Sequence, residues 1–341
     1  MAATVISVIN YKGGVGKTVS TYNIAFGLSF LNDHKVLIID LDPQCSLSTI
    51  CMKALTETKH EILTLSDLKP EQTINSVIKD YLSAGSSKPN IDLDTLITKE
   101  FYTNHYGKIF AGVNFIPATM YENKDNVYDK GLDDLEIDIV RNYANKVSTL
   151  DLITIFAKFF KDTGINEKYD FILFDCPPAN NIITQNALLV SDYYLIPTVM
   201  DDVSSNGINH LINVIEKAVY QGVYEDNKRI IDRCDSDSYL NFLKNSPKLL
   251  GIFETLRKTQ VQNNFRYPLS KIFGEKIFKE IIYHHKPTAD SIAKGKSCFS
   301  VNINKNKPRY SPHNTYGNLV LSILARLDIV KTTNTKVNTW L

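Results

Sequence analysis

The stretch Thr4 to Thr18, TVISVINYKGGVGKT, restricts the fold of this chain more than any other. A short β-branched run, Thr4 to Ile9, enters a glycine-rich turn. GKT then opens a segment that carries Ile24, Ala25, Leu28 and Leu31 at helical spacing. A second apolar run, Lys35 to Asp40, follows. Strand, turn, helix and strand in this order make a βαβ unit, and such units build parallel sheets covered on both faces. Later apolar runs at Phe171 to Asp175, Tyr193 to Pro197 and Leu249 to Phe253, with helical patterns between them such as Leu211 to Val219, extend the pattern. The predicted fold class is α/β: a doubly wound, mostly parallel sheet with helices on both faces.

The turn has its own chemistry. Glycines let backbone N–H groups point inward around phosphate oxygens, and a helix starting near Gly16 aims its positive end at them. The usual phosphate loop reads G-x-x-x-x-G-K-[ST]. Here Tyr11 stands in place of the first glycine, and Lys12 precedes the double glycine, so the loop is of the deviant form. Lys12, Gly13, Gly14, Val15, Gly16, Lys17 and Thr18 are the expected nucleotide-binding residues, with Lys17 reaching the β- and γ-phosphates and Thr18 ligating Mg²⁺. The alternative is a glycine turn that binds nothing; the strand before it, the helix after it and the GKT together weigh against that. Asp40-Leu41-Asp42-Pro43-Gln44 and Asp175-Cys176-Pro177-Pro178 each follow a predicted strand. Carboxylates at the C-terminal ends of parallel strands share the phosphate loop's edge, where they hold Mg²⁺ waters or orient an attacking water. Taken alone, either aspartate could be a helix cap or a turn residue.

Composition sets limits. With 341 residues and 43% hydrophobic content, the chain can build one large core with insertions or two modest domains. A net charge of +1 neither demands nor excludes nucleic acid, so DNA binding would need a local basic patch. The 5 cysteines include no C-x-x-C pair, so neither a disulfide framework nor a zinc site is expected. The N-terminus lacks a signal-peptide pattern, and no apolar stretch approaches the roughly 20 residues of a membrane span, so a cytoplasmic soluble protein is expected. Residues 53–165 fit the sheet pattern least. They contain a linker-like cluster at Tyr81 to Asn90 and an amphipathic helix at Thr149 to Phe160, and are expected to be helical insertions over the sheet, a lid among their open roles. Residues 225–247 read as a second polar, helical insertion, and Lys331 to Leu341 as a flexible tail with the only tryptophan, Trp340. The chain is thus expected to be a single domain over 1–341 with these insertions.

At this point the residues resemble a known family. KGGVGKT, DLDPQ, NFIPAT at 114–119, and FDCPPA with NALLVSDYYLIP are similar to the ParA/Soj partition ATPases, part of the deviant-Walker group that includes MinD. The resemblance is strong over 4–52, 113–120 and 169–220, weaker over 248–300, and absent from most of 53–110 and 225–247. It implies that Lys12 is the signature lysine that crosses a dimer interface to the partner's ATP, acting with Lys17 and Asp42 in catalysis. Asp42 would be the switch I aspartate that positions the hydrolytic water. Asp175 would be the Walker B aspartate that contacts Mg²⁺ through water, with Asp40 supporting the metal site from behind. Val19 departs from the second threonine common in the family, without consequence expected for phosphate binding.

The resemblance further implies ATP and Mg²⁺ as cofactors, an ATP-state homodimer, and slow hydrolysis stimulated by a ParB-like or centromere-binding partner. It implies non-specific binding to double-stranded DNA, nucleoid association, and a role in plasmid or chromosome partition. Candidate DNA contacts are Arg257 and Lys258 in ETLRKTQ and Lys286, Lys294 and Lys296 in HHKPTADSIAKGKS, against which stands an ordinary solvated face. Adjacent His284 and His285 do not suit a metal site on one helical face. No helix-turn-helix segment precedes the first strand, so no operator binding is expected. A MinD-like or other cargo-positioning ATPase is one alternative, disfavoured by DPQ and by a polar tail after an apolar helix near Leu319 to Leu327. The other is a metabolic P-loop enzyme such as a ligase or an ATP-driven reductase; the reductase would need a cluster-ligating cysteine pair, and Cys176, common at this place in ParA proteins, does not argue for one.

Overall fold

Continuous apolar runs too short for helices become central strands here, because only a sheet covered on both faces buries every side chain of such a run. The computed structural model describes residues 2–84, 87–104, 107–120, 131–143, 148–201, 204–244, 247–258, 263–299 and 312–329. The chain opens with β1 (Thr4–Val8), α1 (Lys17–Asn32) and β2 (Val36–Asp40). Next come α2 (Ser46–Lys59), α3 (Ile74–Ser83), α4 (Leu93–Leu96) and β3 (Val113–Ile116). Helices α5 (Leu132–Asp138), α6 (Thr149–Ile153) and α7 (Ile155–Thr163) precede β4 (Phe171–Asp175), α8 (Ile182–Val190) and β5 (Tyr193–Thr198). A π-helical stretch, Val214–Gln221, joins α9 (Ser204–Asn213) to α10 (Gly222–Ile231). The described residues close with β6 (Lys248–Arg257), α11 (Asn263–Phe273), β7 (Ile277–Tyr283), α12 (Lys286–Ile292) and α13 (Pro312–Arg326).

The seven strands form one sheet in the order β3-β2-β4-β1-β5-β6-β7, with every strand pair parallel. From β1 the chain first builds outward through β2 and β3, then returns to add β4 and continues past β1 with β5. That reversal beside β1 opens a crevice at the C-terminal ends of the strands. Register puts the sequence signals at that edge: Val8 pairs with Asp175, and Asp40 also pairs with Asp175. Two helical layers cover the sheet, one with α1 against α13 and α2, the other with α8 against α6 and α7. Among the core side chains, fully buried Phe26 of α1 packs against Tyr22, Tyr102 and Phe110 at ring-centroid distances of 4.7, 4.4 and 5.8 Å. Burial of such a ring stabilises a fold by about 3–5 kcal/mol relative to alanine. The close approach of α1 and α13 depends on Gly27, where an added Cβ would lie 2.6 Å from Val320 Cγ2.

Several expectations change. The 53–165 stretch is not only helical: it supplies β3, an edge strand paired from Val36–Val113 to Ile39–Ile116. The linker-like cluster at Tyr81 begins inside α3, which runs to Ser83. The amphipathic segment at Thr149 is two helices, broken where the Thr154 hydroxyl donates to Leu150 O at 2.7 Å. Within 225–247 only the first residues are helical in α10, followed by turns and a short 3-10 turn at Tyr239–Phe242. β7 is an additional strand. The tail from 331 with Trp340 lies outside the described residues. Among the described residues no helix is long and apolar enough to cross a membrane.

Candidate nucleotide-binding site

The loop between β1 and α1 is anchored before it turns. Asn10 Nδ2 donates to Pro197 O at 2.8 Å, and its Oδ1 accepts the Lys12 N–H at 2.9 Å, tying the loop to β5. Gly14 at φ 71° and Gly16 at φ 78° lie in the left-handed region, which explains glycine at both places. Gly16 is the N-cap of α1, so the first free N–H groups of a 16-residue helix face the turn. Val15 between them is buried. At Gly13 an added Cβ would meet nothing within 4 Å, so no internal contact requires that glycine.

Lys17 is only 7% exposed, and its Nζ lies 3.4 Å from Lys12 O across the loop. Burial lowers its pKa below the usual lysine range, while the charges of Asp175 and Asp42 and the nearby Cys176 pull it back. Lys12, by contrast, is exposed and forms an ion pair with Asp201 just beyond β5.

The acidic end of the site is buried. Asp175 at the end of β4 accepts a hydrogen bond from Thr21, whose Oγ1 lies 3.1 Å from Asp175 Oδ1, and the Thr18 side chain lies close by. Its other oxygen, Oδ2, is buried without a hydrogen-bond partner. Burial, then the charge of Asp40, raises the Asp175 pKa well above the carboxylate range against the pull of the threonines. Asp40 sits on the neighbouring strand, and burial raises its pKa too. Both Asp40 oxygens are occupied by the protein: Oδ1 accepts from Asp42 N at 3.1 Å, and Oδ2 accepts from Ser48 N at 2.8 Å and Ser48 Oγ at 2.7 Å. Ser48 Oγ in turn accepts from Ala118 N at 2.8 Å, joining the Asp40 loop to the segment after β3. Asp42 is partly exposed, and its Oδ1 accepts from Gln44 N at 2.9 Å.

A divalent cation fits these residues. One buried carboxylate oxygen has no protein donor, and two neighbouring buried carboxylates disfavour each other's charge unless a cation is near. Among the described residues no group of three or more His, Cys, Asp or Glu could cage a metal. A small hard cation here would therefore draw the rest of its oxygen shell from water and phosphate. Cys176 is fully buried, its thiol pKa pushed up to about 12 by that burial, which leaves it a poor nucleophile and redox group.

Thus Lys12 to Thr18, Asp40, Asp42 and Asp175 converge on one edge. The basic residues do not converge in the same way. Arg257 is corrected: it is buried, and its guanidinium pairs with both oxygens of wholly buried Glu254 at 2.5 Å, so it is not a surface cation. Lys296 is half-buried, donating to Thr103 O at 3.3 Å with its ammonium 5.6 Å from the Tyr102 ring centroid. Lys258, Lys286 and Lys294 are exposed. Sequence reasoning missed Asn10, Thr21, Ser48 and Asp201. Asp201 had a signal, since it follows a parallel strand as Asp40 and Asp175 do; the others are polar residues with no pattern of their own. Glu136 of α5 was missed as well: its carboxylate accepts from Ile182 N at 2.7 Å and Ile183 N at 3.3 Å, seating α5 on the start of α8.

Comparison with known proteins agrees with this geometry. The family model described as "AAA domain" matches residues 3–103 and 125–229. The sporulation initiation inhibitor protein Soj of Bacillus subtilis is 25% identical over 211 residues, which is 62% of this chain and 64% of Soj. The alignments cover 64%, 41% and 52% of the first three curated relatives, so the chain spans less than two thirds of their length. In structure, the chain is similar to McdA of Cyanothece in complex with ATP, at TM-score 0.59 and 14% identity, over 98% of this chain and 99% of that one. It is also similar to a plasmid partition protein from Borrelia burgdorferi, at TM-score 0.52 and 18% identity, over 96% and 98% of the two chains.

Proposed function

Since this chain belongs to the AAA domain family and has a ParA/MinD-type fold and phosphate loop, we propose that it is an ATPase that dimerises on ATP, binds DNA without sequence preference and drives partition of a plasmid or chromosome. The observation that carries the reading is the meeting of the glycine turn, buried Lys17 and the orphaned Asp175 oxygen at one sheet edge. The loop's N–H groups and Lys17 hold the ATP phosphates. Thr18 and Asp175 would hold Mg²⁺, and Asp40 with Ser48 fixes the loop behind them. The metal ion, when bound, neutralises charge on the β- and γ-phosphate oxygens. Asp42, partly exposed and tethered through Oδ1 to Gln44 N, orients the attacking water. Lys12 leaves Asp201 and reaches the partner's ATP, where a cation stabilises charge that develops as the phosphoryl group departs. Dimerisation thereby completes the catalytic group, and a lone subunit hydrolyses slowly.

The DNA side of the proposal rests on Lys258, Lys286 and Lys294, exposed cations suited to salt-sensitive phosphate contacts without base reading. A ParB-like partner would stimulate turnover, and the protein would act in the cytoplasm on the nucleoid as a single domain over 1–341. Soj supports this reading as a relative, and the Borrelia burgdorferi plasmid partition protein as a structural neighbour. Binding to a random-sequence duplex with ATP–Mg²⁺ and with ADP–Mg²⁺, at low and moderate salt, tests it. Binding that requires ATP and weakens with salt is expected. Absence of binding in both states would leave an ATPase and refute the DNA-partition role.

A further inference from the structure

The end of β6 is built around the phosphate loop rather than for the strand. Thr255, 1% exposed, donates its hydroxyl to Val15 O at 2.7 Å across 240 residues of sequence. An added Cβ on Gly16 would lie 4.0 Å from both Thr255 Cβ and Leu256 Cγ, so β6 packs directly against the loop. The carbonyl of Val15 and the N–H of Gly16 are two ends of one planar trans peptide. A hydroxyl that fixes where this carbonyl points therefore fixes where the Gly16 N–H points, which is away from Thr255. That N–H belongs to the cap residue of α1, within the turn that faces the crevice.

Two features hold Thr255 in this place. Leu256 has φ 54°, a left-handed conformation that costs a bulky residue about 1–2 kcal/mol. In a regular strand, residues three apart face opposite sides of the sheet. Here the left-handed residue breaks the alternation: pairing with β7 shifts register between Glu254 and Arg257, and Arg257 turns back onto Glu254. Arg266 of α11 closes the bulge from outside. Its Nη1 donates to Glu254 Oε2 at 2.9 Å and its Nη2 to Phe278 O at 2.7 Å. A strained bulge locked by a buried carboxylate with two guanidiniums is not what a strand needs for its own stability, and bulges of this kind re-aim side chains beside functional sites.

We propose that Thr255 is a positioning residue for phosphate binding, held against Val15 by the bulge that Leu256 and the Glu254–Arg257–Arg266 cluster maintain. The proposal rests on the reading of residues 12–18 as the ATP phosphate loop. Thr255→Val keeps shape and burial but removes the donor; Thr255→Ser keeps the donor. Both are compared with the wild-type chain by equilibrium binding of a fluorescent ATP analogue with Mg²⁺, alongside the melting midpoint without nucleotide. Thr255→Val is expected to bind about tenfold more weakly, as a buried acceptor loses its partner and the peptide is freed to rotate. Thr255→Ser is expected to bind within about threefold of wild type, since its hydroxyl can still donate to Val15 O. A valine variant that melts earlier yet binds as tightly as wild type makes Thr255 a stabilising residue only and overturns the proposal, as does a serine variant as weak as the valine one. Should Thr255→Val not fold, Arg266→Gln, changed on the partly exposed outer side of the bulge, decides: weaker binding sustains the proposal and unchanged binding overturns it. Failure of the wild-type chain to bind the analogue would instead overturn the nucleotide reading itself.

Discussion

Asp201→Asn tests whether the Lys12–Asp201 ion pair restrains dimerisation. In the single chain, Lys12 is committed to Asp201, with side-chain exposures of 42% and 37%. A pair this open to water is screened, and such pairs contribute about 0.2–1 kcal/mol. Lys12 cannot hold Asp201 and reach the partner's phosphates at once, so forming a twofold dimer breaks two such pairs. Removing Asp201's charge spares that cost twice, about 0.4–2 kcal/mol in all, which lowers the dimer dissociation constant by roughly 2- to 30-fold. Sedimentation equilibrium with a slowly hydrolysed ATP analogue and Mg²⁺ measures that constant in wild type and variant. ATP affinity of the isolated subunit should change far less than the dimer constant, because Lys12 acts on the partner's ATP rather than on its own subunit's. A variant that dimerises no more tightly than wild type, or less tightly, refutes the idea that Lys12 must leave Asp201. Salt supplies an internal control: the difference between the two proteins should shrink as ionic strength rises.

Lys12→Ala is expected to bind ATP but lose ATP-driven dimerisation and hydrolysis; normal turnover would remove Lys12 from the mechanism. Asp42→Ala is expected to bind ATP and dimerise while turnover falls by about a hundredfold, the lower end of what a positioned general acid–base residue contributes, and an unchanged rate in a phosphate-release assay would exclude it. Phe26→Ala is expected to destabilise the chain by about 3–5 kcal/mol in a denaturant titration, since its ring packs against Tyr22, Phe30, Phe101, Tyr102 and Phe110; a loss below about 1 kcal/mol would contradict the packing described.

What was legible in the sequence follows from how strongly each segment is dictated by its own residues. β2, β4 and β5 each carry at least four apolar residues in a row, β1 is a β-branched run around the polar Ser7, and a glycine turn with GKT is readable because two of its glycines must adopt left-handed backbone. β3 was not readable: it has four residues, and Asn114 interrupts them, its amide donating to Tyr169 OH at 3.1 Å in the fold. β7 was hidden by Lys279 and Glu280 within its run, which an edge strand tolerates. Arg257 looked like a surface cation because its partner, Glu254, is three residues away, a spacing that brings side chains together in a strand only at a bulge. Asp40, Asp42 and Asp175 were found by their place at or just after strand ends, whereas Asp201 beyond β5 was not. Ser48 and Thr21, which hold those aspartates, were invisible because a buried hydroxyl on a helix leaves no period or spacing to read.

The most direct test is the mass of the wild-type protein by sedimentation with ATP–Mg²⁺ and with ADP–Mg²⁺, at a concentration where the nucleotide-free chain is a monomer. The account predicts a dimer with ATP–Mg²⁺ and a monomer with ADP–Mg²⁺, because only the γ-phosphate gives each Lys12 a reason to leave Asp201 and cross to the partner. The same mass with both nucleotides would contradict it.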